Sequence, residues 1–187
     1  MAVGIVAVAL VAVAMHLSQQ AGPSATATAG PFRLTISAPA AHYLSTQEIR
    51  GVSATLVYEG PDPSVRMTHP AMGPINFAIA QVGGPHHTSP IADFACRSSD
   101  LRPGDSVTHA YVKTGGFNGP NDPDQPWLDA FFARQGLFLD PGQWTITAIG
   151  QFQLGGCAGT PEDLRASITI TVDPGAASAG PTPVPAE

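Results

Sequence analysis

This sequence is short of charge, and above all of lysine. Charged residues make up 12% of its 187 positions, and Lys113 is the single lysine beside seven arginines. The net charge is −6, with no run or cluster of basic residues. Neutralising a phosphate backbone needs clustered Lys and Arg, so no nucleic-acid partner is expected. Catalytic signatures are also missing. There is no serine in a Gly-x-Ser-x-Gly elbow and no His-Glu-x-x-His, and the paired acids Glu162 and Asp163 sit in a turn. Glu48 and Glu59 fall at opposite ends of one strand and cannot share a substrate. The chain reads as non-catalytic, with no cofactor. Its Ala-rich, Lys-poor usage suggests a bacterial origin.

Cysteine is scarce too, with two residues, while glycine and proline are abundant at 20 and 19. That level exceeds the average but falls short of general disorder, and the prolines collect between apolar runs.

The N-terminus is unlike the rest. Residues 2–17 are apolar apart from His16. A transmembrane helix takes about 20 such residues, with a minimum near 17, so the run is slightly short. Its first positive charge is Arg33, so the usual orientation cue is missing, and a start upstream of Met1 would supply it. Two readings follow: an uncleaved anchor, or a signal peptide cut after Ala12-Val13-Ala14. Either puts the remainder outside the cytoplasm, held at the cell membrane or secreted. Residues 18–31, rich in Gln, Ala, Thr, Gly and Ser, read as a flexible stalk. Residues 174–187 read as a disordered tail. Between them, 32–173 is long enough for one domain with a core.

Within that domain the signal is alternation. Residues 139–152 open on a Pro-Gly turn. Trp144, Ile146, Ala148, Gly150 and Phe152 then share one face, and Gln143, Thr145, Thr147, Ile149 and Gln151 the other. Period two with one dry face means a strand in a packed antiparallel sheet. Similar runs occur at 32–38, 49–58, 75–82, 91–96, 105–112 and 164–172, giving seven strands and an all-β sandwich. In 105–112 the inward set is either Val107 and Tyr111, or Ala110 and Val112. One short amphipathic helix is expected near 124–136, from the i,i+4 pairs Trp127/Phe131 and Leu128/Phe132. Asp124 would cap it, with Pro126 in its first turn and Gly136 after its end.

Two turns carry a resemblance. Leu101-Arg102-Pro103-Gly104-Asp105-Ser106 and Leu139-Asp140-Pro141-Gly142-Gln143-Trp144-Thr145 are similar to the strand-opening turns of bacterial immunoglobulin-like domains. The intracellular proteinase inhibitor type is the nearest form. The likeness covers about 32–173 and implies a seven-stranded immunoglobulin-like sandwich. That inhibitor type carries a tryptophan-rich strand between Phe94 and Leu101, where this chain has Cys96 instead, and here a longer insertion precedes 139–152. Fold carries over more readily than function.

Under that topology the 91–96 strand and the 154–163 loop end at one pole, and an even cysteine count in an exported domain implies a Cys96–Cys157 disulfide. The same pole would gather Arg66, Met67, His69, Met72, Glu162 and Asp163 on loops, the candidate ligand surface. His42, His86 and His87 would lie at the opposite pole beside the helix. They are weak metal candidates, since adjacent histidines on extended backbone alternate faces and a site needs three or four converging ligands. Asn121, Asp122, Asp124 and Asp129 fit no calcium-loop spacing and suit turns and caps better. The expectation is a membrane-anchored extracytoplasmic binding module with a protein or cell-envelope ligand. The alternatives are a secreted peptidase inhibitor and a metal-binding envelope protein.

Overall fold

The computed structural model describes residues 22–90, 95–115, 122–162 and 164–175. The apolar segment 2–17, most of the expected 91–96 strand and the tail beyond 175 lie outside the described residues. Among the described residues, no helix is long and apolar enough to cross a membrane.

Two four-stranded sheets form the body. The first has the order β1 (Ser24–Ala29), β2 (Phe32–Ser37), β4 (Ser53–Tyr58), β8 (Ser106–Ala110), antiparallel throughout. The second has the order β3 (His42–Leu44), β12 (Leu164–Asp173), β9 (Gly142–Gly150), β6 (Ile75–Gln81). It is mixed, because β3 runs parallel to β12 while β9 is antiparallel to both of its neighbours. β1 and β2 lie against β12, and β2 also against β9.

The alternation read from sequence places the core. Phe32, Leu34 and Ile36 of β2, Ala54, Leu56 and Tyr58 of β4, and Trp144, Ile146 and Ala148 of β9 are all buried, as are Ala166, Ile168, Ile170 and Val172 of β12. Over 105–112 the ambiguity falls toward Val107 of β8 and Tyr111 just after it, which pack on the core, while Val112 is 50% exposed. The outward faces carry mostly hydroxyls, with Arg33 of β2, paired to Glu59, and Arg165 of β12 among the few charges. Thr26 bonds Thr35, and Thr55 bonds Thr108, each at 2.9 Å; Thr147 bonds Ser167 at 2.8 Å. Such cross-strand pairs keep the surface polar with few charges.

Three expectations need correction. The architecture has more than seven strands. Residues 24–29 of the expected stalk form β1, because Ala25, Ala27 and Ala29 face the core while Ser24, Thr26 and Thr28 face out. And the supposed long loop 60–74 contains β5 (Val65–His69). It pairs with β7 (Arg97–Leu101) and with β10 (Gln153–Leu154), beside the short β11 (Thr160–Pro161), in a third small sheet of order β11-β10-β5-β7. The polar sequence Arg97-Ser-Ser-Asp-Leu101 gives no alternation signal, which is why β7 escapes notice.

The helix α1 (Gln125–Ala133) lies where expected, burying Leu128 and Phe131. Asp124 stands at its N-cap position but makes no side-chain cap bond. At the other end Lys113 donates to the carbonyls of Phe131 and Arg134, with its ammonium 4.0 Å from the Phe131 ring centre. The single lysine of the chain is thus a helix C-terminal cap, where a cation suits the dipole.

Burial raises the Tyr111 phenol above its ordinary value of 10.0. The native state then keeps that proton longer than the unfolded chain, so stability falls as pH climbs past about 10, at up to about 1.4 kcal/mol per pH unit. Urea midpoints at pH 8 and pH 11 should show a smaller alkaline loss for Tyr111→Phe than for wild type. An equal loss would show that another group carries the effect.

Candidate functional site

The small third sheet is the pole at which the sequence places its ligand surface. Cys96, just before β7, and Cys157, in the turn after β10, are joined in a disulfide with Cα atoms 5.8 Å apart. Both cysteines are exposed, so the link braces a surface loop and leaves the core centre alone.

Around it the candidate residues divide. Arg66 reaches outward and makes a two-pronged contact with Asp100 across the strand pair, at 2.9 and 3.1 Å. That guanidinium holds the Asp100 carboxyl below the usual carboxylate range. Met67 does not belong to the surface. It faces inward at 0% exposure, because β5 is a strand and its alternate residues turn into the core. Met72 is 53% exposed, on the loop after β5. Glu162 is half-buried, its backbone N–H bonded to the Phe152 carbonyl at 3.0 Å, and Asp163 lies outside the described residues.

His69 is the most constrained of the set. Its Nδ1 lies 2.8 Å from the Pro70 carbonyl and its Nε2 lies 2.9 Å from Ser99 Oγ on β7. A carbonyl only accepts, so Nδ1 carries a proton, and in the neutral form of the ring Nε2 is the acceptor that faces the serine hydroxyl. Ser99 is missing from any reading of the sequence, because thirty positions separate it from His69 and strand register alone joins them.

The other pole holds a second constellation. Asp124 is buried, and its carboxylate accepts from His86 Nδ1 at 2.5 Å and from the His87 backbone N–H at 3.3 Å. This is why it does not cap α1. His86 stacks on Trp127 at 4.7 Å, and Trp127 stacks on Phe131 at 5.1 Å and on Trp144 at 5.7 Å. Asp140 secures both indoles: its carboxylate accepts from Trp127 Nε1 at 3.0 Å and its backbone carbonyl from Trp144 Nε1 at 2.8 Å. The Leu-x-Pro-Gly turn therefore ties α1 to β9.

The three histidines considered for metal do not share a site. His42 sits on β3, 3.7 Å from Asp173, while the exposed His87 turns its Nδ1 to the Pro85 carbonyl at 3.0 Å. Among the described residues no group of three or more His, Cys, Asp or Glu side chains converges. Asp122 accepts from the Asp124 backbone N–H at 2.8 Å and Asp129 from Gln125 Nε2 at 2.7 Å, turn and helix contacts both. Asn121 lies outside the described residues.

No family model and no curated protein matches the chain.

Proposed function

We propose that the chain is an extracytoplasmic binding or interaction module of immunoglobulin-like type, held at the membrane through residues 2–17, with a protein or cell-envelope ligand. The observation that supports it most is the disulfide between Cys96 and Cys157. Such bonds persist in oxidising compartments, and this one braces the exposed small sheet without adding to the core. A strand pair carrying Arg66 and His69, with Met72 on the loop after β5 and a disulfide-pinned turn alongside, suits recognition, since binding groups on a braced support lose less freedom on contact.

The test uses the full chain in its host envelope, with a photo-crosslinking residue at Met72 or at Thr26, on the outer face of β1. A discrete adduct from Met72 and none from Thr26 is the expected result. Adducts from both positions alike, or a chain wholly protected from protease added to intact cells, would overturn the reading.

A further inference from the structure

The small sheet carries chemistry as well as shape. His69 and Arg97 are direct partners across β5 and β7, so they share a face, and Ser99 stands two residues beyond Arg97 on that face. The diagonal places Ser99 Oγ on His69 Nε2 at 2.9 Å, while the Pro70 carbonyl fixes the opposite nitrogen at 2.8 Å. A hydroxyl bonded to an imidazole, with the imidazole oriented by a third group, is the arrangement that activates a serine. The backbone carbonyl takes the orienting role that a carboxylate fills elsewhere. Met67, fully buried and paired opposite Ser99, supplies an apolar flank. Arg97 is exposed and shares this face as the direct cross-strand partner of His69.

We propose that Ser99 is an activated nucleophile that takes an acyl group from ester substrates, with His69 as its general base. As Ser99 Oγ bonds to the ester carbonyl carbon, its proton passes to His69 Nε2 and the carbonyl oxygen becomes an oxyanion. The bond to the leaving alkoxide then breaks, and His69 returns the proton to it, releasing the alcohol and leaving acyl-Ser99. Water attacks the acyl carbon with His69 again as base, giving a carboxylic acid and the free serine. No oxidant, metal or cofactor enters the balance. The step goes beyond the binding reading and departs from the sequence-based expectation of a non-catalytic chain. The disulfide joins Cys96, next to Arg97, to the turn after β10, so it braces the strand that presents the nucleophile.

The experiment exposes the full oxidised chain to a fluorophosphonate probe and maps the adduct by peptide mass spectrometry, with p-nitrophenyl acetate as a turnover assay. A single adduct on Ser99 is expected, absent in Ser99→Ala and in wild type unfolded in urea. Labelling of His69→Gln should be slower by a hundredfold or more, the usual scale of general-base assistance, about 10²–10⁴. The comparison of native with urea-unfolded wild type decides the matter even if His69→Gln fails to fold. No adduct on Ser99 in the folded chain overturns the proposal. So does labelling scattered over other hydroxyls, or an undiminished rate in a folded His69→Gln.

Discussion

Trp144→Ala should be the most damaging single substitution in the chain, at a cost of about 3–5 kcal/mol. The indole is at 0% exposure on β9, between β12 and β6, paired in register with Ile170 and Gln81. Its removal leaves a cavity at the end of the second sheet that meets α1, and three further contacts go with it. The Asp140 carbonyl loses its donor at 2.8 Å, Trp127 loses its stacking partner at 5.7 Å, and His86 loses the second ring beside it at 6.4 Å. A domain of this size has a total stability of about 5–15 kcal/mol, so the variant should be largely unfolded at physiological temperature. Trp144→Phe keeps most of the volume and should cost distinctly less. Urea unfolding followed by circular dichroism checks both, since Trp127 would otherwise confuse a fluorescence reading. A Trp144→Ala midpoint within error of wild type would mean that β9 is not the centre of the core.

Reduction of the Cys96–Cys157 bond should cost nearly as much. The bond closes a segment of 61 residues, and restricting a loop of that length in the unfolded chain is worth about 4 kcal/mol in the chain-entropy account. Both cysteines are exposed residues, so a mild reductant should reach the bond without prior unfolding. The paired change Cys96→Ser with Cys157→Ser should lower the urea midpoint by the same amount as reduction of wild type, and reductant should have no further effect on it. Loss should begin locally. The small sheet contributes few buried side chains besides Met67 and Leu101, so β5 and β7 should exchange their amide protons ahead of β9 and β12. Equal midpoints for oxidised and reduced protein would show that the bond closes no entropy-rich loop.

The parts of this fold that could be read from the sequence are those with a period. β2, β4, β9 and β12 alternate apolar with polar, mostly hydroxyl, residues, β6 carries Ile75, Phe77 and Ile79 on one face, and each is found within a few positions of its expected span. The helix followed from its i,i+4 aromatic pairs. The small sheet was not legible, for two physical reasons. β7 lies at the sheet edge and has a single apolar residue, Leu101, so it shows no alternation. β5 buries Met67 and Thr68 in succession, which breaks the period, and its Thr68 hydroxyl is satisfied by the Gln153 and Gly156 carbonyls instead of by water. β1 gives no signal either, because alternating Ala with Ser and Thr has too little hydrophobic contrast to separate a strand from a linker.

The site followed the same divide. The cysteine pairing came from topology and parity, and the structure joins the two residues expected. The sequence puts Met67 on a loop, whereas β5 turns it into the core. The position of Asp124 fits a helix cap, whereas its carboxylate turns to His86 across 38 positions of sequence. The Ser99–His69 contact had no local signature at all. Both are products of register, which one-dimensional spacing does not encode.

Digestion of the full chain under non-reducing conditions, after recovery from the cells that make it, followed by peptide mass spectrometry, tests the account at its root. One linked pair of peptides, joining Cys96 to Cys157 within a single chain, is the expected outcome. Two free thiols, or bonds between separate chains, would contradict it.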